Sequence, residues 1–190
     1  MELFTAFDRA VASTADVVKA APAGQMSART PCSEWDVRAL LNHVIGTLWL
    51  AAALLSDQAP RYPMAPGGLP PGDLAGDGPA AAYAEAAAAA LTAAAAGDAL
   101  IRGHVTPLGE MPGPALAGFT TLDILQHGWD LATATGQPAD LDGRLAAHVL
   151  EFAGQAITPQ TRAPRIGPPL AIAPDAPVTH QLVAFLGRNP

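Results

Sequence analysis

The 190-residue sequence predicts an all-α fold in which four principal helices, joined by long crossings, form a bundle that is followed by a short C-terminal extension. Apolar residues recur at the helical period in several segments, and no segment alternates between polar and apolar residues as a half-buried strand would. Half of the residues are hydrophobic and only 14% are charged, so we expect a folded chain with a sizeable core. The length predicts a single domain over residues 1–190.

The first two helices are predicted from the spacing of their apolar residues. Residues 2–21 form the first, which the sequence "APAG" ends. The second opens within "RTPCSEWDV", where Ser33 is the expected N-cap and Asp36, three residues later, completes a start that resembles a capping box. The core-facing residues of the second helix are Leu40, Leu41, Val44, Ile45, Leu48 and Leu55.

The middle of the chain predicts a loop, a third helix and an irregular crossing before the fourth helix. Residues 57–78 are rich in Pro and Gly, and loops of this length often wall a functional site. The alanine-rich residues 79–96 favour a helix by propensity alone. Residues 97–118 cross irregularly, with one short strand expected around 101–105. The sequence "TTLDILQHGWDLATATG" at 120–136 predicts the fourth helix.

The C-terminal part of the chain supplies the extension. A fifth helix is expected over residues 141–156, and a run punctuated by prolines follows it. A short helix over 177–187 ends this tail.

Charge and composition exclude several classes of partner. The net charge of −7 would repel phosphate backbones, so we expect no nucleic acid partner. A single cysteine, Cys32, allows no intrachain disulfide, which fits a cytoplasmic location. The N-terminus is acidic where a signal peptide would be basic, and the most apolar stretch is short and interrupted by Asn42, His43 and Gly46. We therefore expect no membrane association.

The fourth helix carries an unusual polar stripe. Asp123, His127 and Asp130 are spaced by four and three residues, so they project from one side of a helix. If the second helix faces the fourth, His43 completes a cluster of two imidazoles and one carboxylate, a set that binds zinc and leaves a coordination position open. The alternative is structural: Asp123 and His127 would pair on a helix surface, and His43 would be a half-buried histidine with its hydrogen bonds satisfied.

The segments "TPCSEWDVRALLNHVIG" and "QHGWDLATATGQP" resemble the signature segments of the DinB-like metal-binding superfamily. They are most similar to the branch that contains the N-terminal domain of mycothiol-dependent maleylpyruvate isomerase. The closing "GPPLAIAPDAPVTHQLVAFLGRNP" resembles the end of a small subfamily of that branch, so the resemblance covers nearly the whole chain. It implies a four-helix bundle with a divalent metal, usually zinc, near one end.

The resemblance also implies the ligands of that metal. They are a histidine on the second helix, which is His43, and a carboxylate-x-x-x-His pair on the fourth, which is Asp123 and His127. The family carboxylate is commonly Glu, and the shorter aspartate is expected to bind through one oxygen or through water. The isomerase has a further C-terminal domain that this chain lacks, so maleylpyruvate itself is not the expected substrate.

An enzyme is the first class of function that the resemblance implies. A metal-bound small thiol, mycothiol, would act as a thiolate and add to a small electrophilic substrate. Elimination after bond rotation gives isomerisation, and an adduct that persists gives S-transfer. A metal-bound hydroxide that hydrolyses its substrate would use the same protein ligands.

The second class is a non-catalytic bundle that binds a metal or a small molecule, with a homodimer through its apolar helix faces as one arrangement. A fourth coordination position that a small molecule can reach favours the enzyme, and a closed shell favours the binding protein. A non-haem Fe(II) oxygenase would use the same ligands, but no arginine pattern that would anchor a cosubstrate is evident.

The remaining candidates are weaker. Cys32 has no histidine next to it in the sequence, so we expect a small buried apolar side chain rather than a nucleophile. Asp130 is either an acceptor for the N–H of a ligand histidine or a cap or salt-bridge partner. His104 either approaches the site from the crossing loop or lies on the surface of that loop, and we expect the surface position. The residues expected to have no site role are His148 and His180, and those expected in the core, with one able to wall the site, are Trp35, Trp49 and Trp129.

Overall fold

The computed structural model describes residues 1–65, 68–107, 109–162 and 166–190. Most of these residues are helical, which agrees with the predicted class. The contacts divide the chain into two units, of which one is Glu2–Ala139 and the other is Asp140–Pro190 together with Met1. The candidate site lies in the first unit.

The first unit holds four long helices and a hairpin. Its helices are α1 (Leu3–Ala20), α2 (Val37–Leu55), α3 (Pro79–Ala95) and α4 (Gly113–Thr135), with a 3₁₀ turn at Ala23–Gln25. Its strands are β1 (Gly103–Thr106) and β2 (Gly109–Pro112), which pair antiparallel with Gly103 opposite Pro112. Both α1 and α2 pack against α3 and α4. The helices of the second unit are α5 (Gly143–Ala156), α6 (Pro159–Arg162) and α7 (Val178–Phe185), with α7 packed on α5.

The start of α2 differs from the prediction. Asp36, and not Ser33, is the N-cap, and its carboxylate accepts a hydrogen bond of 2.8 Å from the backbone N–H of Ala39. The reason lies in the preceding turn, where the Thr30 hydroxyl lies 2.8 Å from the carbonyl oxygen of Trp35 and 3.1 Å from the backbone nitrogen of Cys32. Residues that we predicted in the first turn of α2 therefore belong to this preceding turn.

The crossing before α4 is more regular than the sequence indicates. The expected strand around 101–105 is β1, but it pairs with a second strand that the sequence did not reveal. In addition, α4 begins at Gly113, seven residues before the predicted start. The backbone N–H of Gly113 donates to the carbonyl of Arg102 at 2.7 Å. A Cβ at Gly113 would lie 2.6 Å from the carbonyl oxygen of Ala99, so only glycine fits this approach of two backbones.

Helix α2 is long and apolar enough to cross a membrane by length and composition alone. In the structure, however, 67% of its most apolar window is buried. Packing against α3 and α4 therefore accounts for its apolar composition.

The described part of the loop at 57–78 contains no helix or strand and is fastened to α2. Arg38 forms an ion pair of 2.7 Å with Asp73, and the Asn42 side chain accepts a hydrogen bond of 2.8 Å from the backbone of Ala75. At Gly46, a Cβ would lie 2.9 Å from the sulfur of Met64. These contacts hold the loop over the face of α2 that carries His43.

Helices α1 and α4 come close together at Thr14 and Gly128. The buried Thr14 hydroxyl donates a hydrogen bond of 3.0 Å to the carbonyl of Ile124. A Cβ at Gly128 would lie only 2.3 Å from that hydroxyl oxygen. This close contact fixes the position of α4 relative to α1, and with it the position of the polar stripe that α4 carries.

We expect Gly128→Ala to destabilise the protein by about 1–3 kcal/mol, because the added methyl group would overpack this contact. Urea unfolding monitored by circular dichroism measures the change in free energy. In a Thr14→Ala background the hydroxyl is absent, so the same substitution should cost clearly less. Equal costs in the two backgrounds would show that the Thr14 contact does not set the spacing of α1 and α4.

Candidate metal centre

The structure brings the three predicted ligand residues together between α2 and α4. The ligand atoms of His43, Asp123 and His127 all lie within 4.8 Å of one another. Nε2 of His43 is 3.1 and 3.2 Å from the two carboxylate oxygens of Asp123, and Nε2 of His127 is 3.6 Å from Oδ1. Helix α4 brings Asp123 and His127 to one spot because they are one turn apart, and α2 supplies His43 from across the core.

Hydrogen bonds at the other ring nitrogens orient both imidazoles. Nδ1 of His43 lies 2.5 Å from the carbonyl oxygen of Gly68, and Nδ1 of His127 lies 2.9 Å from Oδ2 of Asp130. A carbonyl or carboxylate oxygen can only accept, so each Nδ1 carries the proton. In a neutral imidazole this leaves a lone pair on Nε2. When both rings are neutral, both Nε2 lone pairs therefore face the carboxylate of Asp123.

This convergence of acceptors favours a positive charge between them. Burial alone would lower the pKa of His43, but the charge of Asp123 and a hydrogen bond to it raise that pKa above its ordinary value. Burial alone would raise the pKa of Asp123, but the neighbouring His43 and His127 hold it well below its ordinary value. The site is thus built for a proton or a cation at its centre.

The three groups fit a divalent metal by geometry and by chemistry. Zinc bonds of about 2.0–2.2 Å in a tetrahedral arrangement place nitrogen and oxygen ligands about 3.3–3.5 Å apart. The nitrogen-to-oxygen distances at Asp123 are 3.1 to 3.6 Å. The set of two neutral imidazoles and one carboxylate is also the set that leaves a zinc coordination position open.

Asp130 is the acceptor that orients His127, as one of the two sequence interpretations expected. It is fully buried and also accepts hydrogen bonds of 3.3 Å from the Gln126 amide and from the Cys32 thiol. A carboxylate that accepts from the outer nitrogen of a ligand histidine fixes the tautomer of that ring.

The side chains around the imidazoles come from the segment before α2 and from α2 itself. The ring centroid of Trp35 lies 4.6 Å from that of His43 and 5.8 Å from that of His127. The Thr47 hydroxyl lies 3.5 Å from Nε2 of His43. The side chain of Asp123 is 29% exposed, against 9% for His43 and 11% for His127, so Asp123 is the most exposed of the three.

The surroundings of two residues differ from those that the sequence indicates. Cys32 is half-buried rather than buried, and its Sγ lies 3.7 Å from Nδ1 of His127, 95 positions away in the sequence. His104 is not on the surface but is buried on β1, where Nε2 lies 2.7 Å from the carbonyl oxygen of Ala99 and Nδ1 lies 3.3 Å from a carboxylate oxygen of Asp57. His104 therefore contacts Asp57, just beyond the end of α2, and not the ligand cluster.

The other candidates stay outside the ligand cluster. His148 lies on α5 and His180 on α7, both in the second unit. Trp129 is buried, while Trp49 packs against Tyr62 at a centroid distance of 6.1 Å. Trp35 is the tryptophan that walls the site.

Comparisons with known proteins give one family and two relatives. The family described as "Mycothiol maleylpyruvate isomerase N-terminal domain" matches residues 7–132. Two uncharacterized proteins of Mycobacterium tuberculosis, MT0763 of strain CDC 1551 and Rv0738 of strain H37Rv, are each 38% identical over 196 aligned residues, which cover 100% of this chain and 99% of theirs. No solved structure matches the chain.

The pKa shifts predict how the stability of the metal-free protein depends on pH. The Asp123 contribution is complete above its ordinary pKa of 3.8 and is lost as pH falls through the lowered value. The His43 contribution is complete below 6.5 and is lost as pH rises through the raised value. The pair therefore stabilises the fold most between about pH 4 and pH 6.5.

In chelator-treated protein, Asp123→Asn should lower the melting temperature most in this window, and its effect should shrink as the pH rises beyond it. Thermal melts from pH 4 to pH 9 measure the difference. Asp16→Asn, which removes the same charge from an exposed position of α1, is the control. An Asp123→Asn effect that is constant over this range would contradict the conclusion that Asp123 and His43 stabilise the fold as a charged pair.

Proposed function

The chain belongs to the family of the mycothiol maleylpyruvate isomerase N-terminal domain, a branch of the DinB-like proteins, and we propose that it binds a divalent cation, zinc, through His43, Asp123 and His127. We further propose that it uses this site with a low-molecular-weight thiol, mycothiol, to isomerise or S-conjugate a small electrophile. A reducing cytoplasm, which keeps such a thiol reduced, is the proposed location.

The fold supports this proposal. Each of the four long helices of the first unit packs against two of the others, which we interpret as a four-helix bundle. The proposed ligands face each other from α2 and α4. Metal sites in bundles are built in this way, from inward side chains on facing helices.

The observation that carries the proposal is the convergence of the two imidazole Nε2 atoms on one carboxylate. Gly68 holds the tautomer of His43, and Asp130 holds that of His127, so neither ring needs to turn to accept a cation. One ring nitrogen would suffice to donate to Asp123, and the second imidazole supplies the further ligand that a metal site requires.

Three protein ligands suit a site that also takes a thiol. A divalent cation held by His43, Asp123 and His127 would keep one coordination position open and would lower the pKa of a small thiol bound there. Asp123 is the most exposed of the three side chains, and Trp35 provides an apolar wall beside both imidazoles. Cys32 lies on the Nδ1 side of His127, away from the lone pair on Nε2, so the nucleophilic sulfur is expected to come from the added thiol.

The chemistry of the thiol then determines the product. Addition of the sulfur to an activated carbon–carbon double bond converts that bond to a single bond, which can rotate. Expulsion of the same thiolate restores the double bond with changed geometry and regenerates the thiol. If the adduct instead takes up a proton, the product is a thioether and one thiol is consumed.

The ligand assignment predicts the effect of each substitution on metal content. His43→Ala and His127→Ala should lose the metal, whereas His148→Ala, the matched control on α5, should keep it. Asp123→Asn should weaken metal affinity by about tenfold to a hundredfold, and Asp123→Glu should retain the metal. Element analysis and competition with a chelator measure content and affinity. Near-stoichiometric metal in both ligand-histidine variants would refute the assignment.

The thiol assignment predicts that activity depends on mycothiol and not on Cys32. Cys32→Ser should keep conjugation or isomerisation of small electrophiles in the presence of mycothiol, because serine can still donate a hydrogen bond to Asp130. Omission of the thiol should abolish turnover by the wild type. Turnover that persists without thiol but disappears in Cys32→Ser would make Cys32 the nucleophile instead.

A further inference from the structure

A second group of metal-ligating side chains lies on the other edge of the His127 ring. It consists of Cys32, Asp130 and the Nδ1 atom of His127, and its ligand atoms also lie within 4.8 Å of one another. We propose that these three groups form an alternative site for a soft, thiophilic divalent cation such as Cd²⁺. This site does not depend on the proposed function, since it shares only His127 with the first.

The distances within the group are close to those of a coordination shell. Sγ of Cys32 is 3.3 Å from Oδ2 of Asp130 and 3.7 Å from Nδ1 of His127, and the last two atoms are 2.9 Å apart. Tetrahedral zinc with bonds of about 2.3 Å to sulfur and about 2.0–2.2 Å to nitrogen and oxygen requires separations of about 3.3–3.6 Å. Shifts of a few tenths of an ångström would complete the shell.

The surroundings hold the ligands in place. The turn anchored by the Thr30 hydroxyl fixes the backbone of Cys32, whose side chain is half-buried. Gln126 donates to Oδ1 of Asp130, so the carboxylate cannot rotate freely. The Oε1 atom of this glutamine is buried and has no hydrogen-bond partner among the described residues. A water held by a cation in the group would give that atom a donor.

Binding of a cation at this site would change the protonation of Cys32 and the tautomer of His127. Cys32 loses its thiol proton to solvent when its sulfur binds the cation. The His127 proton moves from Nδ1 to Nε2, where Oδ1 of Asp123 at 3.6 Å becomes its acceptor. One proton is therefore released for each cation bound. Because carboxylates flank both ring nitrogens, either tautomer of His127 has an acceptor.

The two sites are alternatives because a neutral imidazole has a single lone pair for a cation. A cation at Nδ1 leaves only an N–H at Nε2, and the first site loses one ligand. Thiolate ligands select soft cations. The softest cations should therefore occupy the Cys32 side, while the His43 side remains the site for cations that prefer nitrogen and oxygen.

Cadmium is the probe, because a thiolate bound to it gives an ultraviolet charge-transfer band and Cys32 is the single cysteine of the chain. We expect one Cd²⁺ per wild-type chain with this band. His43→Ala should keep the band, whereas Cys32→Ala should lose it. Asp130→Asn and His127→Ala should each weaken the cadmium affinity measured from the band by about tenfold or more.

Circular dichroism tests whether each variant is folded. If the buried asparagine prevents Asp130→Asn from folding, the comparison of cadmium affinities uses His127→Ala alone. No charge-transfer band in the wild type would overturn the proposal. It would also be overturned if cadmium affinity were unchanged in Asp130→Asn and His127→Ala, since Cys32 would then bind cadmium as an isolated thiol. Loss of zinc in His43→Ala with retention of the cadmium band would separate this site from the first.

Discussion

The candidate site depends on two hydrogen bonds at the outer nitrogens of its histidines. The carbonyl of Gly68 fixes the ring of His43, and the carboxylate of Asp130 fixes the ring of His127. Each bond determines which nitrogen carries the proton, and together they aim two lone pairs at Asp123. Without them the imidazoles could turn their N–H groups to Asp123, and the cluster would be an ordinary buried hydrogen-bond network.

The rest of the first unit holds these two acceptors in position. The loop reaches His43 because Arg38 and Asn42 on α2 bind its later residues. Asp130 is fixed because α4 is packed closely on α1 and because the Gln126 amide and the Cys32 thiol both donate to its carboxylate. His127 is therefore flanked by a carboxylate at each nitrogen. The two proposed cation sites therefore share one ring and exclude each other.

Much of this could be predicted from the sequence, because helical spacing alone places Asp123, His127 and Asp130 on one stripe and the helical periods reveal the long helices. The joining of His43 to that stripe required the family resemblance, since nothing in local spacing determines which helices face each other. Gly68 could not be predicted, because it acts through a backbone carbonyl that every residue has. Cys32 was missed because its approach to His127 depends on a turn and not on sequence distance. The short strand β2 was missed because its four residues, two of them Gly and Pro, lack a strand pattern.

The central claim is that the two Nε2 atoms and Asp123 hold a divalent metal, and the location of the ion tests it most directly. Crystals of the protein loaded with one equivalent of zinc, with diffraction data collected on both sides of the zinc absorption edge, would locate the ion by its anomalous signal. The account predicts one peak between α2 and α4, about 2.0–2.1 Å from Nε2 of both His43 and His127 and next to Asp123. A peak elsewhere on the chain, or no peak at full zinc loading, would contradict it.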